Sequence, residues 1–167
     1  MQRLGRLFIA LAIAMLVPAA VALAVGPTSV TQSGGLHFVG TPDVTATKTA
    51  SSAFLTATGE VAGAGQTATA TLSSNAAVTT GCINRGSKDQ QPSGLERTTT
   101  TVTGSETFRT RSGRGTFDVD TNPVSTNRSC PDDMRPVLVS VNFTDVTLTI
   151  TSGANKSLTA TFPDIDP

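Results

Sequence analysis

The segment VLVSVNFTDVTLTIT, residues 137–151, decides the fold of this chain. Apolar residues occupy alternate positions in both halves of the segment, but with opposite parity: Val137, Val139, Val141 and Phe143, then Val146, Leu148 and Ile150. Alternation with a period of two is typical of a half-buried β-strand, and a change of parity sends the apolar side chains of a regular strand to its other face. We therefore predict a β-bulge or a sheet-switching bend at Thr144–Asp145, which lets both apolar sets enter one core.

Segments with the same alternation occur along most of the chain, at residues 44–46, 55–61, 68–72, 116–120 and 158–162, and residues 99–103 and 106–110 are also predicted as strands. Regularly spaced short strands predict an all-β domain, here a two-sheet, immunoglobulin-like sandwich of about seven to nine strands over residues 36–167. A closed β-barrel is the alternative. The chain has no Trp to pack against an inter-sheet disulfide, so only the architecture of the immunoglobulin fold is expected.

Residues 1–24 have the three-part layout of a cleaved, helical secretory signal. Arg3 and Arg6 precede an apolar run, which ends in tandem A-x-A motifs at 20–22 and 22–24 of the kind that a signal peptidase cleaves. An uncleaved anchor is the alternative, because residues 7–25 are nearly long enough to span a bilayer. We expect a secreted protein that begins at Val25 or Leu23, has a flexible segment over residues 25–35 and is not attached to a membrane.

The charge balance argues against nucleic acid as a partner. The chain has 12 basic and 12 acidic residues, and loss of Arg3 and Arg6 leaves 10 basic residues against 12 acidic ones, a net charge of −2. Such a chain lacks the basic surface that gives affinity for phosphate. Its 29 Thr residues suit pleated strands, and their alternation with apolar residues favours a folded monomer over a disordered Thr-rich stalk.

Cys82 and Cys130 are the two cysteines of the chain. Two cysteines in an exported protein allow one intramolecular pairing in an oxidising compartment, so we predict a disulfide between them. The bridge would contribute at most about 4 kcal/mol by restricting the unfolded chain. Two Cys and one His are too few ligands for a structural metal site, and neither a metal nor a cofactor is predicted.

No catalytic residue is predicted, because the chain has one histidine, His37, and no serine in a nucleophile motif. Charged and polar residues in loops are instead candidates for an interaction surface. They form two groups in the sequence, one beside the cysteines and one around the glycine turn at 113–115: Asn84, Arg85, Asp132 and Asp133, then Arg109, Arg111 and Arg114. Arginines on a hairpin can contact an anionic polymer, or they can be solvated charges that protect a strand edge.

Four short motifs resemble a loose group of small, uncharacterised secreted actinobacterial proteins. The motifs are LHFVGTP at residues 36–42, CINRG at 82–86, PSG at 92–94 and CPD at 130–132. The similarity covers most of the chain after residue 36. The resemblance implies a secreted β-sandwich with one disulfide, and it carries over no activity and no site residue.

Three functional classes remain open. The first and preferred one is a secreted, non-enzymatic structural or interaction protein of the cell envelope or medium, whose partner is a protein or a cell-wall polymer. The second is a small binding or inhibitor protein that presents its disulfide-tethered loops. The third is a secreted hydrolase, for which Asp132–Asp133 is the acidic cluster on a tethered loop. Sugar binding by aromatic stacking is disfavoured, because the chain has neither Trp nor Tyr.

Overall fold

The computed structural model describes residues 24–86, 91–153 and 155–167. Within these ranges the chain forms ten strands and no helix: β1 Ser29–Gln32, β2 His37–Phe38, β3 Asp43–Lys48, β4 Ser52–Ala62, β5 Thr67–Asn84, β6 Ser93–Arg109, β7 Gly115–Asp120, β8 Val124–Ser125, β9 Met134–Thr151 and β10 Ser157–Thr161. Residues 1–23 of the predicted signal lie outside them, so its cleavage stays a prediction. In the part of the chain that is described, nothing helical is long and apolar enough to cross a bilayer.

The strands form two antiparallel sheets. The larger sheet has the order β1-β10-β9-β5-β6. In the smaller sheet β4 is central, because Val61 pairs with both Phe38 of β2 and Gly115 of β7. Strands β2 and β3 therefore lie on one side of β4, with β7 and β8 on the other. The sheets do not close on each other, so the predicted sandwich is confirmed and the barrel alternative is wrong.

The core lies between the two sheets and follows the alternation of the sequence. Its fully buried large side chains come from both sheets and the loop before β2: Leu36, Val44, Leu55, Val61, Leu72, Val141, Phe143, Val146, Leu148, Ile150 and Leu158. Burial of one such aliphatic side chain stabilises the fold by roughly 1.5–3 kcal/mol. Where every second residue of a strand is buried in this core, as in β4, β7 and β10, the residues between them lie on the outer faces of the sandwich.

The predicted irregularity in β9 is a β-bulge. Ser73 of β5 pairs with Thr147, but Asn75 pairs with Thr144, so β9 has one residue more than β5 over this interval. Asp145 has a φ of 55°, and its carboxylate accepts a hydrogen bond of 3.0 Å from Asn75 Nδ2. The extra residue restores the parity of the strand, and both Val141 and Leu148 are fully buried. The prediction for Thr144–Asp145 is confirmed.

A second irregularity in β9 corrects part of that prediction. Thr79 of β5 pairs with Ser140 and Thr80 pairs with Leu138, so β9 again has one residue more, at Val139. The parity therefore changes a second time, and Leu138 enters the core at 3% exposure. Val137 and Val139 are only partly buried, although the sequence places them in the same apolar set as Val141.

The segment predicted to be a flexible N-terminus contains strand β1. Val30 pairs with Ala160 of β10, and before the strand Val25 exchanges backbone hydrogen bonds of 2.9 and 3.1 Å with Val44. All four residues of β1 are exposed, because the strand forms an edge of the larger sheet. An exposed edge strand has no buried apolar set, so the alternation that identifies the other strands is missing here.

The predicted disulfide joins Cys82, near the end of β5, to Cys130 in the loop before β9. The two Cα atoms are 5.8 Å apart, and the described residues include no free cysteine. The Cys82 side chain is buried at 3% exposure. The predicted pairing is confirmed, and the disulfide attaches the loop before β9 to one end of the larger sheet.

Candidate functional site

One group of predicted interaction residues lies at the disulfide end of the larger sheet. Asn84 ends β5 opposite Met134, and the backbone N–H of Arg85 donates a hydrogen bond of 3.0 Å to the carbonyl of Asp133. Asp132 and Asp133 form the turn before β9, where Asp133 has a φ of 67°. The fold therefore brings Asn84, Arg85, Asp132 and Asp133 together, and all four are exposed.

The second group lies at the other end of the molecule. Arg111 and Arg114 exchange backbone hydrogen bonds of 2.7 and 2.9 Å in the β6–β7 turn, and Arg114 Nε lies 2.9 Å from Glu60 Oε1. Arg109 pairs with Thr67 at the start of β5. Strand β5 rises by about 3.3 Å per residue between Thr67 and Asn84, so the two groups are roughly 55 Å apart. They cannot form one interaction surface.

Between these two ends, the outer face of the larger sheet is a regular array of hydroxyl groups. Three ranks of paired residues cross the sheet, and each rank has one Ser or Thr from each of the five strands. The one exception is Ser33, which directly follows β1. The ranks are Ser33, Ser157, Thr151, Thr69 and Thr107; Thr31, Thr159, Thr149, Thr71 and Ser105; and Ser29, Thr161, Thr147, Ser73 and Thr103. We call these fifteen residues the hydroxyl face. Their chain neighbours in β5, β9 and β10 point into the core, and none of the fifteen is buried.

The hydroxyl face is regular in two directions. Side chains of neighbouring strands are about 4.8 Å apart along a rank, and every second residue of a strand is about 6.7 Å further on. Hydrogen bonds between hydroxyls link adjacent strands, at 3.0 Å for Thr69–Thr107 and 3.3 Å for Thr71–Ser105. Ser29 is bonded in the same way to Thr161, at 2.6 Å. Thr is stiff at χ1 because it is β-branched, so most of these groups are held in place before any partner arrives.

No residue of the hydroxyl face carries a charge. The nearest charged residues lie at its borders: Arg109 pairs with Thr67 beyond the first rank, and Asp145 is bonded to Asn75 beyond the third. Further along, beyond the bulge, Arg97 lines a shallow groove of about 360 Å³ together with Asn142 and Ser140. The uncharged area is thus continuous over the central part of the sheet.

The outer face of the smaller sheet is different. Its outward residues include four acids, Asp43 of β3, Glu60 of β4, and Asp118 and Asp120 of β7. Thr58 lies between two of them, because it pairs with Asp43 on one side and Asp118 on the other. We call this surface the acidic face.

A groove of about 380 Å³ opens between β6 and residues 122–128, where the smaller sheet does not cover the inward side of the larger one. Thr98 and Thr100 form part of one wall and Asn127 part of the other. Arg128 Nη1 lies 3.7 Å from Glu96 Oε2 and 3.4 Å from the carbonyl of Thr80. Since the charge of Arg128 is already matched by an acid, the groove is a weaker candidate for a binding site than the hydroxyl face.

No protein-family model, curated protein or solved structure matches this chain. The functional assignment therefore depends on the geometry of its own residues.

The chemistry available at the hydroxyl face is recognition. The hydroxyls described there bond to one another and to backbone carbonyls, as in the 3.3 Å bond from Thr147 Oγ1 to the carbonyl of Asp145. A hydroxyl becomes a nucleophile only beside a general base, and these partners are not bases. Each Ser or Thr instead offers one donor, two acceptor lone pairs and, for Thr, a methyl group.

The sequence carries a signal for the hydroxyl face in the spacing of its Thr and Ser residues. Thr occupies every second position at 67–71 and 147–151, and Ser or Thr does so at 157–161. Alternation places each set on one face of its strand. Only the register between strands aligns the sets into ranks, and register depends on long-range pairing and on the bulge at Asp145.

Proposed function

We propose that this chain is a secreted, non-enzymatic interaction protein of the cell envelope or medium, which adsorbs through the hydroxyl face to an extended, uncharged, hydroxyl-bearing surface. The observation that carries the proposal is the three complete ranks of Ser and Thr across five strands. The disulfide between Cys82 and Cys130 supports it, because structural disulfides persist in oxidising compartments.

The partner has to be extended and regular for energetic reasons. One hydrogen bond to a neutral group adds only about 0.5–1.5 kcal/mol once the competing bonds to water are lost. A small ligand would contact two or three hydroxyls on an open surface and would bind weakly. A partner that meets all three ranks at once sums many such contacts, and the stiff Thr side chains lose little entropy on binding.

The hydroxyl face can be tested by adsorption of the secreted protein to insoluble material. Purified cell walls and neutral, insoluble polysaccharides are mixed with the protein, and depletion from the supernatant is measured. We expect saturable depletion for wild type and a loss of it for Thr71→Lys, which introduces a charge and a long side chain into the middle rank. The matched control is Thr58→Lys on the acidic face, which should adsorb like wild type. Adsorption of Thr71→Lys to the same extent as wild type, on a material that binds wild type, would contradict the proposal.

A second candidate function uses the loops at the disulfide end. The disulfide and the Arg85–Asp133 backbone bond hold Asn84, Arg85, Asp132 and Asp133 on one exposed end, as a small protein-binding or inhibitor surface would require. Arg85→Ala combined with Asp132→Ala should abolish capture of a protein partner from culture supernatant while leaving adsorption to insoluble material unchanged. Capture of the same partner by this double variant and by wild type would remove the candidate.

A further inference from the structure

We infer that the surface recognised by the hydroxyl face is crystalline ice. The inference rests on the proposed function, because it names the partner of the same face. Two properties of the face carry it: three consecutive ranks consist of Thr and Ser alone and therefore carry no charge, and the β-sheet repeats these hydroxyls in two directions.

The spacing suits a lattice of water oxygens. Side chains repeat about every 4.8 Å along a rank, and the next rank lies about 6.7 Å further on, close to the oxygen repeats on prism faces of hexagonal ice. Adjacent strands are rotated by about 20–25°, so the match is best over neighbouring strands at the centre of the sheet. Thr71 and Thr149 are opposite each other at the centre of this array, with Thr159 next along the same rank. A hydroxyl in such a position can replace one lattice water, because it donates one hydrogen bond and accepts two.

The distribution of charge supports the same partner. A charged side chain holds its own hydration shell, which does not fit the water positions of an ice lattice, and its transfer out of liquid water is costly. The hydroxyl face is free of charges, whereas the acidic face on the other side of the same molecule carries Asp43, Glu60, Asp118 and Asp120. An uncharged lattice therefore complements one face of the sandwich and not the other.

Thr also offers a methyl group beside each hydroxyl. In the middle rank, four of the five residues are Thr: Thr31, Thr159, Thr149 and Thr71. Methyl groups held at fixed positions restrict the arrangements of the water beside them, so that water is partly ordered before an ice surface meets it. A crystalline glycan is the main alternative partner. Sugar rings are usually recognised by stacking on aromatic rings, and the chain has neither Trp nor Tyr.

The test is retention of the secreted protein in slowly grown ice. Polycrystalline ice is grown from a dilute solution that also contains an inert protein, and both proteins are measured in the ice and in the remaining liquid. We expect this protein to be enriched in the ice relative to the inert protein, and to change the shape of single ice crystals near their melting point.

Variants separate the hydroxyl face from the rest of the surface. Thr71→Lys and Thr149→Lys should each lower the ratio of protein in ice to protein in liquid at least about tenfold, equivalent to about 1.4 kcal/mol of adsorption free energy. Thr58→Lys should retain the wild-type ratio. Circular dichroism and thermal unfolding of all three variants establish that they are folded. A lower ratio of protein in ice to protein in liquid is then due to the changed surface and not to unfolding.

Two outcomes overturn the inference. One is partition of the wild-type protein like the inert protein, and the other is equal retention of Thr71→Lys, Thr149→Lys and wild type. If ice excludes the protein but neutral polysaccharide still depletes it in a way that Thr71→Lys abolishes, the proposed function stands with a glycan as partner. If ice retains the protein in a way that Thr71→Lys abolishes and polysaccharide does not deplete it, both proposals stand with ice as the partner. If neither ice nor polysaccharide binds, both proposals fail.

Discussion

The two outer faces of the sandwich have the same alternation of Thr with buried residues, but they differ in the charged residues that they carry. Both faces present Thr at every second position, as at Thr69 and Thr71 on the larger sheet and Thr56 and Thr58 on the smaller one. The smaller sheet mixes these with four acids, while the hydroxyl face has none. The β-propensity of Thr accounts for the hydroxyls on both faces. It does not account for the absence of charge from three consecutive ranks of the larger sheet, and that difference is what indicates a function.

This comparison depends on the outward residues being free of a packing role. Leu148 and Thr149 are neighbours in β9, yet Leu148 is fully buried and Thr149 faces outward. Leu148→Asp should destabilise the fold by more than about 4 kcal/mol, because it leaves an unpaired charge in the core. Thr149→Lys should change stability by no more than about 0.5 kcal/mol.

Urea unfolding monitored by circular dichroism measures both values. A large loss of stability for Thr149→Lys would break the comparison, since the hydroxyl face would then be required for folding. Retention of the fold by Leu148→Asp would show that the second half of β9 is not part of the core.

The disulfide provides a second way to separate stability from surface chemistry. Replacing Cys82 and Cys130 together by Ser should lower the free energy of unfolding by about 2–4 kcal/mol, because the unfolded chain gains the freedom of the opened loop. At a temperature where the variant is still folded, adsorption through the hydroxyl face should be unchanged. Thiol labelling of the denatured, unreduced wild-type protein serves as control and should find no free thiol. Loss of adsorption by the folded variant would mean that the loops near Cys130 take part in binding.

The bulge of β9 lets both halves of the strand direct their apolar residues into the core, so that Thr147, Thr149 and Thr151 lie on the hydroxyl face. Asp145 has a positive φ, which Ala tolerates less well than Asp, and its carboxylate bonds to Asn75. Asp145→Ala should therefore lower stability by about 1–2 kcal/mol. Asp145→Gly loses the same bond but relieves the backbone strain, so it should cost less than the Ala variant. Urea unfolding of the pair decides the point, and a Gly variant less stable than the Ala variant would contradict it.

The fold could be predicted from the sequence only in segments where apolar and polar residues alternate. The change of parity between Phe143 and Val146 identified the first bulge, because apolar residues mark which face of the strand is buried. The second bulge, at Val139, was missed because Val137, Leu138 and Val139 are all apolar, and a continuous apolar run carries no parity. Strands β5 and β6 are longer than predicted. Polar residues such as Ser73 and Ser74 interrupt the alternation of apolar and polar residues, so the sequence does not show that β5 continues through them.

The candidate site was predictable only in part. The sequence grouped Asn84, Arg85, Asp132 and Asp133 through the two cysteines, and the fold brings them together. It could not show that the arginines of the β6–β7 turn lie at the opposite end of β5. The hydroxyl face needs the register of five strands, and two of its four strand pairings, β1–β10 and β5–β9, join segments that are distant in the chain. Alternation within a single strand holds no information on register.

The smallest expected effect concerns Thr58→Lys, the control variant on the acidic face. Thr58 is exposed and is paired with Asp43 and Asp118, so a Lys there lies between two carboxylates on neighbouring strands. Opposite charges in cross-strand pairs contribute roughly 0.2–1 kcal/mol, and exposed pairs fall at the low end of that range. We expect a gain of a few tenths of a kcal/mol at low ionic strength, measured by urea unfolding. The gain should fade as salt is raised, because the Debye length shortens to about 3 Å at 1 M. Thr71→Lys, which has no acid opposite it in either neighbouring strand, should show no such salt dependence. Matching salt dependences for the two variants would mean that the charge environments of the two faces are alike, and the contrast on which the functional proposal depends would be lost.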